Sequence, residues 1–482
     1  MSPKRSARSL AAVVLAAGKG KRLKSGIPKV LHDVAGRPLL WHASQNAIAA
    51  KPERIVFVLW NSADRVQAAV QSWNLTPEPV FVHQGEPLGT GHAVAAAEKA
   101  VGKADDVLVI AGDFDPVAPS DVRRLLKTHR RTGSAASILT ADVDVPGGYA
   151  RLVRDGTRLL EIVEGTDARR ELRAGHEVSA LVFAFRREDL YGALPLLGRE
   201  NKRREYYLNA VFPILMEKGE RVSAIKVDTG GMMGPNSRAD LARLGTLLRR
   251  RVNEAHMANG VTIVDPDTTH IEAGVRIGRD TVIHPLTFLS GDTRVGQGCS
   301  IGPSVQIRDS NVGDGVGIRF AVIEGAKLGR GVDVGPFARI RPGTVLAEGV
   351  HIGSYIEVKN SNVGRGSKIP HLSYVGDADI GRGTNIGAAT VTVNYDGYAK
   401  HRTSIGDEVR IGSDTMLVAP VRVGDRAVTG AGSVITKDVP AGSLAVERGE
   451  QRIVKGYRER KDAEHAPEPK TAKGKGSRKG AR

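Results

Sequence analysis

Between Ile277 and Gly424 an aliphatic residue followed by glycine recurs fifteen times. The pairs fall in steps of six at Val295-Gly296/Ile301-Gly302, Leu328-Gly329/Val334-Gly335, Ile380-Gly381/Ile386-Gly387 and Ile405-Gly406/Ile411-Gly412. A six-residue period is the mark of a parallel β-helix. Each six-residue side of a triangular coil sends one aliphatic residue inward. The residue after it turns the corner, where glycine tolerates the backbone. A narrow prism holds few rings, and the composition agrees: aromatic residues are 4 % of the chain and glycine is 57 of 482 residues.

Upstream the pattern changes. Short apolar runs at Ala12–Leu15, Arg54–Leu59, Pro79–His83, Val107–Ile110, Ala136–Ala141 and Ala180–Phe185 read as strands. Helical patterns separate them at Leu39–Ala50, Ala63–Trp73, His92–Val101, Pro119–Arg130, Arg187–Leu197 and Tyr206–Lys218. Such alternation predicts an α/β domain with a mostly parallel sheet. Residues 237–256 read as a connecting helix capped by Ser237, with Leu241, Leu244, Leu247 and Leu248 on its apolar side. The expected organisation is a basic extension over 1–9, the α/β domain over 10–236, a linker helix over 237–258, the β-helix over 259–451 and a basic, disordered tail over 452–482.

The formal charge of +17 invites a nucleic-acid partner, but it is concentrated at the ends. Arg452–Arg482 holds 11 Lys/Arg against 4 Asp/Glu, and Lys4, Arg5 and Arg8 add three more positive charges. The mild excess left in the body suits small anionic substrates and no specific nucleic acid. With 41 % hydrophobic and 26 % charged residues, the body is not a disordered chain. No apolar run nears the ~20 residues of a membrane span, so no membrane insertion is expected. The run Leu10–Ala17 leads straight into Lys19, Lys21, Arg22 and Lys24, and reads as a buried first strand rather than a signal peptide. The single cysteine, Cys299, offers neither an internal disulfide nor a cysteine-based zinc site and reads as a small core residue. A reducing, cytoplasmic compartment is expected.

The first strand runs into Leu15-Ala16-Ala17-Gly18-Lys19-Gly20-Lys21-Arg22, with Pro28-Lys29 just downstream. This is neither the dinucleotide-binding fingerprint nor a P-loop. Gly18 and Gly20 let backbone N–H groups approach an anion, and Lys19, Lys21, Arg22 and Lys29 supply charge. These residues resemble the LAAGxGxR…PK signature of the sugar-phosphate nucleotidyltransferases. With the β-helix, over about residues 10–458, the chain resembles the bacterial bifunctional N-acetylglucosamine-1-phosphate uridylyltransferase/glucosamine-1-phosphate acetyltransferase family. The resemblance implies a Rossmann-like α/β nucleotidyltransferase domain followed by a left-handed parallel β-helix. It also implies a homotrimer and a place in UDP-N-acetylglucosamine synthesis for peptidoglycan.

The implied uridylyl reaction is attack by N-acetylglucosamine-1-phosphate on the α-phosphorus of UTP, expelling pyrophosphate. By resemblance, Arg22 and Lys29 would hold phosphates, and Leu15, Ala16, Ala17 and Gly18 would line the nucleotide. Gln84, Gly89 and Thr90, in Gln84-Gly-Glu-Pro-Leu-Gly-Thr-Gly-His92, would meet the uracil base. Asp113 and Asn236 would hold Mg²⁺, which keeps much of its shell on water and phosphate. Ala150, Glu164 and Ser179 would face the sugar. Here the chain departs from the family pattern. Ala150, Ser179, Asn209 and Ala210 stand where the family has Gly, Asn, Thr and Asp, and Asp115 stands in place of a Pro. Changes clustered on one pocket leave open whether uridylyl transfer is full, weakened, altered in sugar choice or lost.

The β-helix motifs match without a break: Arg341-Pro-Gly, Glu357-Val-Lys359, Pro370-His371-Leu-Ser-Tyr374, Asn385, Asn394-Tyr395, Lys400, Gly412-Ser413, Ala431 and Arg448. The resemblance implies that His371 is the general base, since an imidazole side chain can accept a proton near neutrality. It would take the proton from the amine of glucosamine-1-phosphate as that nitrogen attacks the thioester of acetyl-CoA. Glu357 would orient the ring, Arg341 and Lys359 would bind the sugar phosphate, and Tyr374 and Asn385 the sugar. Asn394 and Tyr395 would shape the pocket. Ser413 and the amide at Ala388 or Ala431 would meet the thioester or pantetheine, Arg448 would contact CoA, and Lys400 would come from a neighbouring subunit. Two other readings stay open: a dedicated acetyltransferase with a degenerate first domain, and a non-catalytic scaffold recruited through its basic tail.

Overall fold

The computed structural model describes residues 8–18, 20–113, 117–143, 149–155, 158–164, 176–231 and 234–466. Lys4, Arg5, Lys19, Asp115 and the last part of the basic tail lie outside the described residues.

Among the described residues the first half is built on nine strands: β1 (Leu10–Leu15), β2 (Arg54–Leu59), β3 (Pro79–His83), β4 (Asp106–Ala111), β5 (Ala136–Asp142), β6 (Arg151–Asp155), β7 (Arg158–Val163), β8 (Glu177–Arg186) and β9 (Val222–Lys226). They run in the order β9-β5-β8-β4-β1-β2-β3, with β6 on β8 and β7 on β6. Neighbours β4, β1, β2 and β3 are parallel, as are β5 and β9, while β8 is antiparallel to both β4 and β5. The sheet is therefore mostly parallel, as expected, and all six expected strands form. The strands that composition hid are β6, β7 and β9, which interleave Arg, Asp, Glu or Lys with their apolar residues.

Helices cover both faces. Among them are α1 (Leu39–Ile48), α2 (Ala63–Gln71), α3 (Thr90–Ala96) and α4 (Pro119–Thr132). One core gathers β-strand residues such as Phe57 and Leu59 with Leu39 and Leu40 of α1; the other gathers Val56 and Val58 with Ala93 and Val94 of α3. At the rear edge Arg8 pairs with the fully buried Asp106 at 2.7 Å, and Ser9 N–H donates to Asp105 at 2.7 Å, so the chain's entry is tied down. Because β1 and β4 are central and parallel, their carboxyl ends open side by side, where such sheets bind ligands.

α5 (Arg238–Ala258) joins the halves. Ser237 Oγ accepts from Asp240 N–H at 3.1 Å while Asp240 accepts from Ser237 N–H at 2.8 Å, a reciprocal cap. Leu244 and Leu248 are buried in the α/β core, and farther along Asn253 Nδ2 donates to the carbonyls of Pro266 and Thr269 in the first coil. A short hairpin (Asp33–Val34 with Arg37–Pro38) also meets that coil: a Cβ on Gly36 would lie 2.1 Å from Glu272 Cδ.

From Thr262 the chain winds into three parallel sheets of 11, 10 and 9 short strands. Ile301, Val334, Ile352 and Ile386 point inward and are at most 1 % exposed. The glycines that follow the aliphatics have a different cause from the one expected. Only Gly302 and Gly335 among them take a positive φ. At the others the constraint is stacking: a Cβ on Gly364 would lie 2.5 Å from the backbone of Gly381, and one on Gly387 2.5 Å from that of Gly412. The left-handed conformation is carried by later corner residues, including Phe320, Phe337, Tyr355 and Leu372. One coil is long: Ala378 pairs with Thr403, 25 positions on, because residues 394–402 loop outward.

Cys299 is a core residue as read, 2 % exposed, with its thiol donating to Gly313 O and pushed up in pKa by burial. The stretch expected to be a disordered tail contains a helix, Tyr457–Glu464, whose residues are all exposed. Its Arg458–Asp462 and Lys461–Glu464 pairs, at 2.9 and 2.7 Å, have the i,i+4 and i,i+3 spacing that supports a solvated helix. Among the described residues, no helix is long and apolar enough to cross a membrane.

Candidate active sites

At the carboxyl end of the first sheet four chain segments converge. Asp113 follows β4, where Gly112 allows close approach: a Cβ there would lie 2.6 Å from Leu15 O. Lys29 stands on a single 3-10 turn, Lys29–Leu31, and is buried. Gly20 backs it with φ +59°; a Cβ at Gly20 would meet Lys29 Cβ at 2.5 Å, so both conformation and space require glycine. Asn236 directly precedes the cap of α5.

The contacts define one cluster. Lys29 Nζ donates to Asp113 Oδ2 at 2.5 Å and to Asn236 Oδ1 at 3.2 Å, and Arg22 donates to Asn236 Oδ1 at 2.6 Å. Tyr149 OH accepts from Asn236 Nδ2 at 3.1 Å and donates to Gly234 O at 2.7 Å, which fixes which way the amide faces. Sequence reasoning gave Tyr149 no role, since nothing local ties it to a residue 87 positions away. Burial pushes the Asp113 carboxyl up, but the adjacent Lys29 ammonium outweighs it and holds the group below the usual Asp range. Two hard oxygens thus converge on one cation. Among the described residues no group of three or more His, Cys, Asp or Glu could hold a metal alone. The pair fits Mg²⁺ completed by phosphate and water, and no all-protein cage.

Leu15, Ala16, Ala17 and Gly18 lie at the end of β1, beside this cluster, and a Cβ on Gly18 would meet nothing within 4 Å. Gln84 is buried, and its amide donates to Gly89 O at 3.0 Å and faces His92 Nδ1 at 3.3 Å. Thr90 Oγ1 accepts from Leu208 N–H at 3.0 Å. The sugar-side residues are less uniform. Glu164 accepts from Asn209 Nδ2 at 2.7 Å. Ala150 is buried in the core, and Ser179 is 0 % exposed with its hydroxyl accepting from Leu181 N–H at 3.2 Å. Neither presents a side chain to a pocket.

On the β-helix the other predicted residues fall into two groups. In one sheet Glu357 pairs with Tyr374 and Lys359 with Gly376, and Arg341 lies one coil before. Arg341 donates to Glu357 Oε1 at 2.7 Å, and Lys359 Nζ lies 3.7 Å from Asp377. Asp377 accepts from Asn360 and Asn394 at 2.6 and 2.5 Å. Burial raises its pKa, but these two bonds and Lys359 outweigh it and hold it low. A Cβ on Gly376 would meet Tyr374 OH at 2.4 Å and Asn394 Nδ2 at 2.8 Å, which places that phenol beside Asn394. Lys400, expected from a neighbouring subunit, reaches Lys359 within the same chain. Their hydrogen bond and mutual charge push Lys400 below the ordinary lysine range. Tyr395 is exposed, its OH donating to Gly397 O at 2.7 Å.

The second group stacks along a corner. His371 ends the strand Lys368–His371 and pairs with Ser354. Ala389 N–H donates to His371 O at 3.3 Å, Asp414 N–H to Ala388 O at 2.6 Å and Gly432 N–H to Ser413 O at 2.8 Å. Arg448 closes the series by donating to Ala431 O at 3.1 Å. Asn385 sits on the strand feeding the same corner. The His371 ring is exposed, and Glu357 is engaged by Arg341 rather than by that ring. The expected Glu357–His371 orientation is not made in the single chain.

An open nucleotide-binding sheet bearing a carboxylate–lysine–amide cluster, followed by a hexapeptide β-helix, defines a two-part transferase. Residues 12–199 match the MobA-like NTP transferase domain family, and residues 402–437 match the bacterial transferase hexapeptide family. A protein of Streptomyces avermitilis called Bifunctional protein GlmU is 44 % identical over 459 residues, 94 % of this chain and 95 % of that protein. Proteins of the same name from Carboxydothermus hydrogenoformans and Mycobacterium tuberculosis are also 44 % identical, over 86 % of this chain and 92 % and 85 % of theirs. The chain belongs to the GlmU family of bifunctional proteins. Its function is the bifunctional one, acetyl transfer and uridylyl transfer in UDP-N-acetylglucosamine synthesis, in place of the acetyltransferase-only and scaffold readings.

Proposed function

We propose that residues 10–236 transfer UMP from UTP to N-acetylglucosamine-1-phosphate and that residues 259–451 acetylate glucosamine-1-phosphate with acetyl-CoA. The convergence of Asp113, Asn236 and Lys29 on one point supports the first assignment. Asp113 and Asn236 would hold Mg²⁺, which would supply charge neutralisation at the phosphates. Lys29 and Arg22 bind phosphate oxygens and stabilise the charge that builds toward pyrophosphate. Tyr149 keeps the Asn236 amide oriented, so its oxygen faces the cation site. Gln84, Gly89 and Thr90 hold the base, and Leu15 to Gly18 pass behind the nucleotide.

On the sugar side, Asn209 takes over the grip. Its Nδ2 is bonded to Glu164, while its Oδ1 is buried with no partner among the described residues. A sugar hydroxyl or amide would satisfy that oxygen. This reading keeps uridylyl transfer but changes how the sugar is held. Release of pyrophosphate from UTP with Mg²⁺ and N-acetylglucosamine-1-phosphate tests it. Turnover that falls in Asn209→Ala, through the sugar's KM, is expected; absence of turnover in the unaltered chain would sink the assignment.

In the β-helix, Arg341, Lys359 and Lys400 form the sugar-phosphate seat, with Asn394 held in place by Asp377. His371 accepts the amine proton as the carbon–nitrogen bond forms and the thiolate of CoA departs. The corner track through Ala388, Ser413, Ala431 and Arg448 runs the length an extended pantetheine arm needs, with coils stacked ~4.8 Å apart. The exposed ring of His371 and the exposed line Phe320, Phe337, Tyr355 and Leu372 beside it support a homotrimer in which neighbouring prisms close over the site.

A further inference from the structure

We propose that Trp60 is a nucleotide-contacting residue of the uridylyl site, its indole supplying the flat face on which the base of UTP stacks. This rests on the uridylyl reading of the first domain.

Register places the residue. β1 pairs with β2 as Leu15↔Val58, and β2 with β3 as Val58↔Val82 and Leu59↔His83. Two backbone bonds carry the ladder past the strands: Ala16 N–H donates to Val58 O and Gln84 N–H to Leu59 O, both at 2.9 Å. One position farther on, Trp60 stands between Ala17 and Gln84. Both flanking residues belong to the nucleotide site proposed above.

Alternation decides the face. Ile55, Phe57 and Leu59 pack into the core shared with α1, whereas Val56 and Val58 pack with Ala93 and Val94 of α3. Trp60 is next in the second series. Gln84 lies on that same face, since its amide reaches Gly89 O at the start of α3. Space is available beside it: a Cβ on Gly18 or Gly85 would touch nothing within 4 Å. The half-buried indole therefore stands on the base side of the sheet's carboxyl edge, between the phosphate loop and the uracil-meeting amide. A ring there binds the π-face of a base, which is blind to its edges, while Gln84 meets the edge.

The full-length Trp60→Ala and Trp60→Phe variants test this, with acetyl transfer in the same samples reporting on folding. In Trp60→Ala the KM for UTP should rise about 5- to 140-fold, the range of one lost base–aromatic stack. The kcat should change far less, and Trp60→Phe should recover most of the affinity. In a Trp41→Phe/Trp73→Phe background, which leaves Trp60 as the one indole of the three, UTP with Mg²⁺ should quench the emission. An unchanged KM in Trp60→Ala, or emission indifferent to saturating UTP, would overturn the assignment of Trp60 alone. Failure of the unaltered chain to bind UTP would overturn the uridylyl reading and this inference with it.

Discussion

Lys29 is buried at 8 % exposure yet carries the charge on which the uridylyl site depends. It can do so because Asp113 and Asn236 face it, and a buried charge persists only where it is paired. Asp106, at the start of β4, the strand that Asp113 follows, obeys the same rule with a structural outcome. Burial raises its pKa, but the His129 ring nitrogen 3.7 Å away, the hydrogen bond from Arg130 and the charge of Arg8 outweigh this and hold it below the usual Asp range. Its stabilising effect is therefore complete above the ordinary Asp value of ~3.9 and is lost as pH falls through the lowered one. Asp106→Asn should cost about 3 kcal/mol at pH 7. The gap from the parent should narrow below about pH 4, as read by thermal unfolding at both pH values. A gap of equal size at both would refute the ionic account. The meeting of Asp113, Lys29 and Asn236 was legible from sequence because motif neighbours surround each of them. Tyr149 and Asp377 were not, because their roles come from partners 87 and 17 positions away.

The elements follow from two periods. The six-residue repeat announced the β-helix, and the aliphatic positions point inward as read. The reason for the glycines was misassigned, because sequence shows which residue follows the aliphatic but not how close the next coil lies. Gly364→Ala makes that difference measurable. Its Cβ would lie 2.5 Å from the Gly381 backbone with no positive φ involved, so a cost of about 1–3 kcal/mol from overpacking is expected. Thermal unfolding would show it, and an unchanged midpoint would return the explanation to corner conformation. In the first domain, strands with unbroken apolar runs were readable, whereas β6 and β7 gained strand structure only by pairing at the sheet's margin. The tail helix Tyr457–Glu464 was hidden for a related reason: it has no apolar face, and its charge spacing rather than its hydrophobicity supports it.

At the scale of the molecule, one chain leaves its acetyltransferase side open. Phe320, Phe337 and Tyr355 stack at 5.6 and 5.1 Å between ring centroids and are 40 %, 55 % and 60 % exposed, a continuous apolar line that water covers poorly. Phe337→Asp should shift sedimentation from a trimer to a monomer and remove acetyl transfer while sparing uridylyl transfer. A trimer that survives the change would place the contact elsewhere. The charge of +17 takes its meaning at this scale too, since the sites proposed for phosphate gather Arg22, Lys29, Arg341, Lys359 and Lys400 for anions far smaller than a nucleic acid.

The central claim is that two separate sites on one chain perform two reactions. Both activities assayed on a single purified sample, alongside Asp113→Asn and His371→Ala, test it most directly. The unaltered chain should show both. Asp113→Asn should lose uridylyl transfer alone, and His371→Ala should lose about 100-fold or more of acetyl transfer alone. Loss of both activities in either variant, or absence of one in the parent chain, would contradict the account.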